Sequence, residues 1–148
     1  MNSFFSSVYH NHVLVVTLSV WIIAQTIKVG LGVIRTKRFD FRWFIGTGGM
    51  PSAHAAGSSA LATVVGFDYG FGSVLFALAA VFALVTMFDA QGVRRSTGRQ
   101  AAILNKVLDD IYWKGKIQED RLKELVGHTP IEVFMGSLIG ILLAIIFR

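Results

Sequence analysis

Long apolar runs broken by short charged clusters set the frame of this chain. No Asp, Glu, Lys or Arg occurs in residues 1–27, and the apolar run VLVVTLSVWIIAQTI continues past Lys28 through VGLGVI. A helix needs about 20 apolar residues to cross a hydrocarbon layer about 30 Å thick, so residues 12–34 are predicted to span one. The amino end lacks the basic stretch and small-residue cleavage site of a signal peptide, so this segment is expected to be a mature span. Between Asp68 and Asp89 lie 20 uncharged residues, YGFGSVLFALAAVFALVTMF, which predict a span over 70–89. The run VFMGSLIGILLAIIF reaches spanning length, 130–147, if its helix starts at Pro130. Residues 53–68 are short for a span and rich in Ala, Gly and Ser. Small side chains let neighbouring backbones approach closely, so this helix is expected inside the bundle.

Composition strengthens the membrane reading. Hydrophobic residues make up 53% of 148, mean hydropathy is +0.59, and only 16% are charged, against about a quarter in soluble domains. The expected fold is an all-α polytopic membrane helical bundle of about four transmembrane helices in one domain, 1–148, with a cytoplasmic amphipathic helical segment. A pI near 9.9 does not imply nucleic acid, because the basic residues fall between apolar runs rather than forming a patch interleaved with aromatics. There is no cysteine, which removes disulfides and thiolate metal sites.

The charges also predict sidedness. Arg35, Lys37, Arg38 and Arg42 occupy one connection and eight basic residues lie in 89–129, whereas Asp68–Ser73 holds none. The positive-inside rule then puts loops 35–52 and 90–129 in the cytoplasm and both termini outside. Within the second loop, Ile103, Leu104, Val107 and Ile111 recur at helical spacing and predict an amphipathic helix, broken near Gly115.

Ionisable groups in or beside spans usually face the bundle interior and mark function, which singles out Lys28, His54, Asp89, His128 and Glu132. Each has an ordinary alternative. Lys28 could snorkel to the headgroups, Asp89 could end a helix, and Thr129-Pro130-Ile131-Glu132 reads as a capping box. His10 and His12 lie in a polar amino-terminal segment on the other side, where solvent or headgroup exposure is the expectation and an HxH metal site lacks supporting ligands.

Two histidines and several cations at a membrane surface suit phosphoryl chemistry. A histidine can attack phosphorus when a second group fixes its tautomer, and in HTPIE the Glu132 carboxylate is one turn from His128. His54 can protonate the leaving oxygen and then activate water. Lys28, Arg94, Arg95, Ser52 and the amides around Gly49–Ala53 can balance phosphoryl charge, aided by a helix beginning after Pro51. The carboxylates are too scattered for a magnesium cluster, and no cofactor or metal is expected.

These residues carry a resemblance. MPSAH resembles the PSGH motif of the type-2 phosphatidic acid phosphatase superfamily, which includes vanadium-dependent haloperoxidases and bacterial acid phosphatases. GHTPIEVFMG resembles the end of that superfamily's third motif, with Glu replacing Asp. GGMPSAHAA, FDAQGVRRSTGRQAAILN and LVGHTPIEVFMGSLIGI are closer still to its divergent branch of small membrane proteins, and the similarity covers roughly residues 20–145. The resemblance implies His128 as nucleophile, Glu132 as its orienting carboxylate, His54 as general acid and Ser52 as a phosphate contact. Lys28 and Arg35 keep the spacing of the first motif, although Thr36 stands where the superfamily has Pro, and Arg42, closer to the PSAH loop, is the alternative phosphate contact. Leu122 occupies the position of the third-motif arginine, so Arg94 and Arg95, oriented by Asp89, are the candidate substitutes. The superfamily usually has six membrane helices rather than four.

The expected activity is that of a metal-independent lipid phosphate phosphatase acting through a phosphohistidine, in the cell (inner) membrane with its site facing the cytoplasm. A relative that binds a phosphorylated lipid without hydrolysing it, or a structural or transport subunit, are the competing classes. Phosphatidic acid, phosphatidylglycerophosphate and polyprenyl phosphate are equal candidates at this point. The small bundle with a Gly-rich last span is a candidate homodimer.

Overall fold

The computed structural model describes residues 2–39, 49–92, 100–105, 107–108 and 127–148. A short amino-terminal helix α1 (Asn2–Tyr9) precedes four longer ones: α2 (His12–Thr36), α3 (Ala53–Tyr69), α4 (Val74–Gln91) and α5 (Pro130–Phe147). Among the described residues the structure is helical, without strands. Three helices, α2, α4 and α5, are long and apolar enough to cross a membrane. The 17-residue α3 is shorter and packs against all three of them.

Each long helix begins at a side-chain cap that satisfies an otherwise orphaned N–H. Asn11 accepts from Leu14 N, Ser52 from Ala55 N, Ser73 from Phe76 N and Thr129 from Glu132 N. The α5 cap is a full capping box with Pro130 in its first turn.

Size sorting across the bundle is inside-out relative to a soluble protein. Among the described residues the buried aliphatic side chains are Ala and Val, including Val20, Ala24, Ala56, Ala60, Val64 and Ala144, whereas Phe82, Leu84, Phe88 and Ile146 face outward. Lipid tails satisfy large outward side chains, and small interior ones allow the close backbone contact that holds membrane helices together.

The α3–α5 contact shows this most directly. A Cβ on Gly136 would collide with the Ser52 carbonyl oxygen and press on Ala55, and one on Gly140 would collide with Ser59 and the Ala56 carbonyl. These glycines and Ala144 form one small-residue face, buried within the chain, so a homodimer would need another surface. Ser59 Oγ also donates to the Ser137 carbonyl at 3.2 Å.

Contacts fix helix directions. Gly136 lies by Ser52 and Ala55 and Gly140 by Ala56 and Ser59, which makes α3 and α5 parallel. Gly49 lies against Lys28, Gly57 against Trp21, and Asp68 bonds His12, so α2 and α3 are antiparallel. The end of α2, the starts of α3 and α5 and the end of α4 therefore meet at one end of the bundle.

Residues 100–105 form a further helical stretch between α4 and α5. Its inward residues are Ala101 and Asn105, while Ile103, Leu104 and Val107 are exposed. The apolar stripe expected on this segment thus faces away from the bundle, the arrangement an interfacial helix requires. Ile111 and Gly115 lie outside the described residues.

Candidate active site

The PSAH turn is built from both sides. Gly49 has φ +89°, a backbone conformation open chiefly to glycine. A Cβ there would stand 3.4 Å from Lys28 Cγ, so the turn passes directly over the lysine stem. The Met50–Pro51 bond is cis. Ser52 then caps α3 through its side chain, and its own N–H donates to the Glu132 carbonyl at 3.0 Å. One residue thus starts α3 and straps it to the first turn of α5.

His128 is placed by the other two elements. Its N–H donates to the Ala90 carbonyl on the last turn of α4 at 3.0 Å, and Gly127 before it has φ +135°. The His128 side chain is only 2% exposed, and its Nδ1 lies 3.2 Å from Glu132 Oε2. The same Oε2 accepts the Thr129 N–H at 2.9 Å. Capping and imidazole orientation, alternatives on sequence grounds, are therefore both carried by one carboxylate oxygen.

His54, in the first turn of α3, approaches from across the turn. The His54 and His128 ring centroids are 5.8 Å apart with planes inclined at 63°. Two histidines 74 positions apart in the chain are brought into edge contact by the Ser52 strap and the parallel packing of α3 on α5.

Lys28 is buried at 9% exposure. Its stem under Gly49 keeps it on the interior side of α2, rather than extended along the bundle surface toward headgroups. Asp89 is exposed, on the turn of α4 whose Ala90 carbonyl holds His128. Arg42, Arg94, Arg95 and Leu122 lie outside the described residues. Among those that are described, no three of His, Cys, Asp and Glu group as a metal site.

A family model described as the divergent PAP2 family matches residues 9–143. The chain belongs to that family. It is 44% identical over 147 residues to "Uncharacterized membrane protein YuiD" of Bacillus subtilis (strain 168), covering 92% of this chain and 93% of the relative. No solved structure matches. Family membership, the membrane relative and three spanning-length apolar helices together make this chain a membrane protein related to the phosphatidic acid phosphatase superfamily.

Sequence reasoning named the candidate side chains of this site but missed the backbone contacts that hold them together. The Ser52 N–H to Glu132 carbonyl bond and the Ala90 carbonyl under His128 are backbone contacts, for which side-chain patterns carry no signal. Buried Gln25, at 6% exposure on α2, was visible as an amide three positions before Lys28 in an otherwise apolar run.

Proposed function

We propose that this protein hydrolyses a lipid phosphate monoester through a covalent phosphohistidine, without a metal. The observation that carries the proposal is His128, nearly inaccessible, with Glu132 on its Nδ1 and the His54 ring 5.8 Å away. With Nδ1–H donated to Glu132, the Nε2 lone pair of His128 is the nucleophile. Nε2 attacks phosphorus, the bond to the lipid oxygen breaks, and His54 gives its proton to that oxygen. Water then attacks the phosphohistidine as His54 takes back a proton, which breaks the P–N bond and releases inorganic phosphate. Lys28 offsets charge on the phosphoryl oxygens, and the Ser52 hydroxyl, accepting from Ala55 N, retains its proton to donate. Arg42, Arg94 and Arg95 are proposed as further phosphate contacts, with Asp89 as an orienting partner.

In this reading α3 is a fourth, internal span, and the site opens to the cytoplasm of the cell (inner) membrane beside the basic connections. A second reading, binding of a phosphorylated lipid without turnover, is favoured by one feature, Leu122 at the position of the superfamily arginine. The test is phosphate release by purified protein in excess EDTA from phosphatidic acid, phosphatidylglycerophosphate and polyprenyl phosphate. Release by wild type that His128→Ala abolishes supports the hydrolase. No release above His128→Ala, with lipid binding kept, selects the binding reading.

A further inference from the structure

The helical stretch between α4 and α5 turns the wrong residues outward for a surface bathed in water. In residues 100–105 and 107–108, Ala101 and Asn105 are buried at 9% and 5% exposure, while Ile103, Leu104 and Val107 are 63%, 52% and 44% exposed. The three aliphatic residues lie one and three positions apart, so they share one helical face. An amphipathic helix on an aqueous surface packs its large apolar residues inward. This one seats an alanine and an asparagine inward and leaves an Ile-Leu-Val stripe uncovered by the described residues.

Position and charge together say what covers the stripe. The stretch follows the end of α4 and precedes the start of α5, two helices long and apolar enough to cross a membrane. Both of those ends lie where His54 and His128 meet, so the tether keeps the stripe near one membrane surface and at high effective concentration there. Three aliphatic side chains alone hold a bilayer weakly, because the binding of such a segment scales with its buried apolar area plus its attraction to anionic lipid. The sequence supplies the attraction. Between Ala90 and Leu108 it carries Arg94, Arg95, Arg99 and Lys106 and no Asp or Glu. That run complements an anionic leaflet, whereas a second copy of the chain would bring the same positive charge against it.

We propose that residues 100–108 are a docking surface for anionic lipid, lying in the headgroup layer with Ile103, Leu104 and Val107 at the acyl boundary. The positive charge of this part of the sequence makes the seating depend on leaflet composition and on salt. Arg99 and Lys106 have no part in the proposed phosphate site, and the docking involves no turnover at His128. It therefore stands or falls apart from the phosphatase reading.

The chain has no cysteine, so Ile103→Cys, Leu104→Cys and Val107→Cys each accept one environment-sensitive fluorophore. Phe82→Cys, outward on α4, serves as the lipid-facing reference. Each labelled protein is placed in nanodiscs of phosphatidylcholine alone or with about a third phosphatidylglycerol. Chain-brominated phosphatidylcholine then reports contact with acyl chains, and a neutral aqueous quencher reports contact with water. With phosphatidylglycerol present, bromine quenching at the three positions should approach that of Phe82→Cys, and aqueous quenching should fall about threefold from its value in phosphatidylcholine. About 1 M sodium chloride should reverse both changes, as should Arg99→Gln combined with Lys106→Gln in part. Labels open to water in both lipids overturn the proposal, as does bromine quenching that is equal with and without phosphatidylglycerol. Labels shielded from both quenchers also overturn it, since protein then covers the stripe. Melting curves establish that each labelled variant is folded, and if one position does not tolerate the label the other two must give the expected result.

Discussion

Among the described residues, two histidine–carboxylate pairs sit at opposite ends of this bundle, and the shorter one is the more exposed. His12 Nδ1 lies 2.9 Å from Asp68 Oδ2, with side chains 46% and 26% exposed. His128 Nδ1 lies 3.2 Å from Glu132 Oε2, with side chains 2% and 20% exposed. Solvent screens the first pair, and such exposed pairs contribute little. The second has a buried ring, a second histidine in edge contact and a buried lysine across the turn. Surroundings, more than bond length, separate a clasp between helix ends from a candidate catalytic centre.

Substitutions at both pairs sharpen this contrast. His128→Ala should abolish phosphate release, a loss of about a thousandfold or more in kcat, because the proposed reaction passes the phosphoryl group through His128. Glu132→Gln separates two roles that share one oxygen. Gln still closes a capping box, so melting should stay close to wild type while kcat falls about a hundredfold or more from loss of the orienting charge. Equal losses of stability and activity would reduce Glu132 to a cap. Gly140→Leu tests the packing that brings α3 and α5 together: overpacking against Ser59 and Ala56 should cost about 1–3 kcal/mol or more, read by thermal melting in detergent. At the far pair, His12→Ala should cost at most about 0.5 kcal/mol after allowing for solvent screening, and change turnover less than twofold. A turnover loss at His12 comparable with that at Glu132 would erase the contrast.

The candidate residues were legible because membrane burial makes polar groups conspicuous. His54, His128, Glu132 and Lys28 stand out against apolar runs, and the Thr129 capping box follows from four consecutive residues. The Ala-, Gly- and Ser-rich composition of α3 likewise pointed to an interior helix, and α3 packs on α2, α4 and α5. What stayed hidden depends on three-dimensional register. The Gly136 approach to Ser52 and the bond from Ser52 N–H to Glu132 join segments some 80 residues apart through backbone atoms that every residue possesses. The His12–Asp68 clasp, 56 positions apart, was invisible for the same reason, since the sequence near His12 contains no carboxylate. The stripe of Ile103, Leu104 and Val107 was readable as a periodicity, but its outward direction was not, because apolar spacing does not distinguish a bundle interior from lipid.

In the proposed reaction His128 carries the phosphoryl group. The most direct test of that step is rapid base quench of purified wild type mixed with a phosphorus-labelled lipid phosphate in excess EDTA, followed by mapping of acid-labile, base-stable label on the protein. Label is expected on His128 within one turnover, reduced in His54→Ala and absent in His128→Ala. Phosphate release with no label on His128, or with label on another residue, would contradict it.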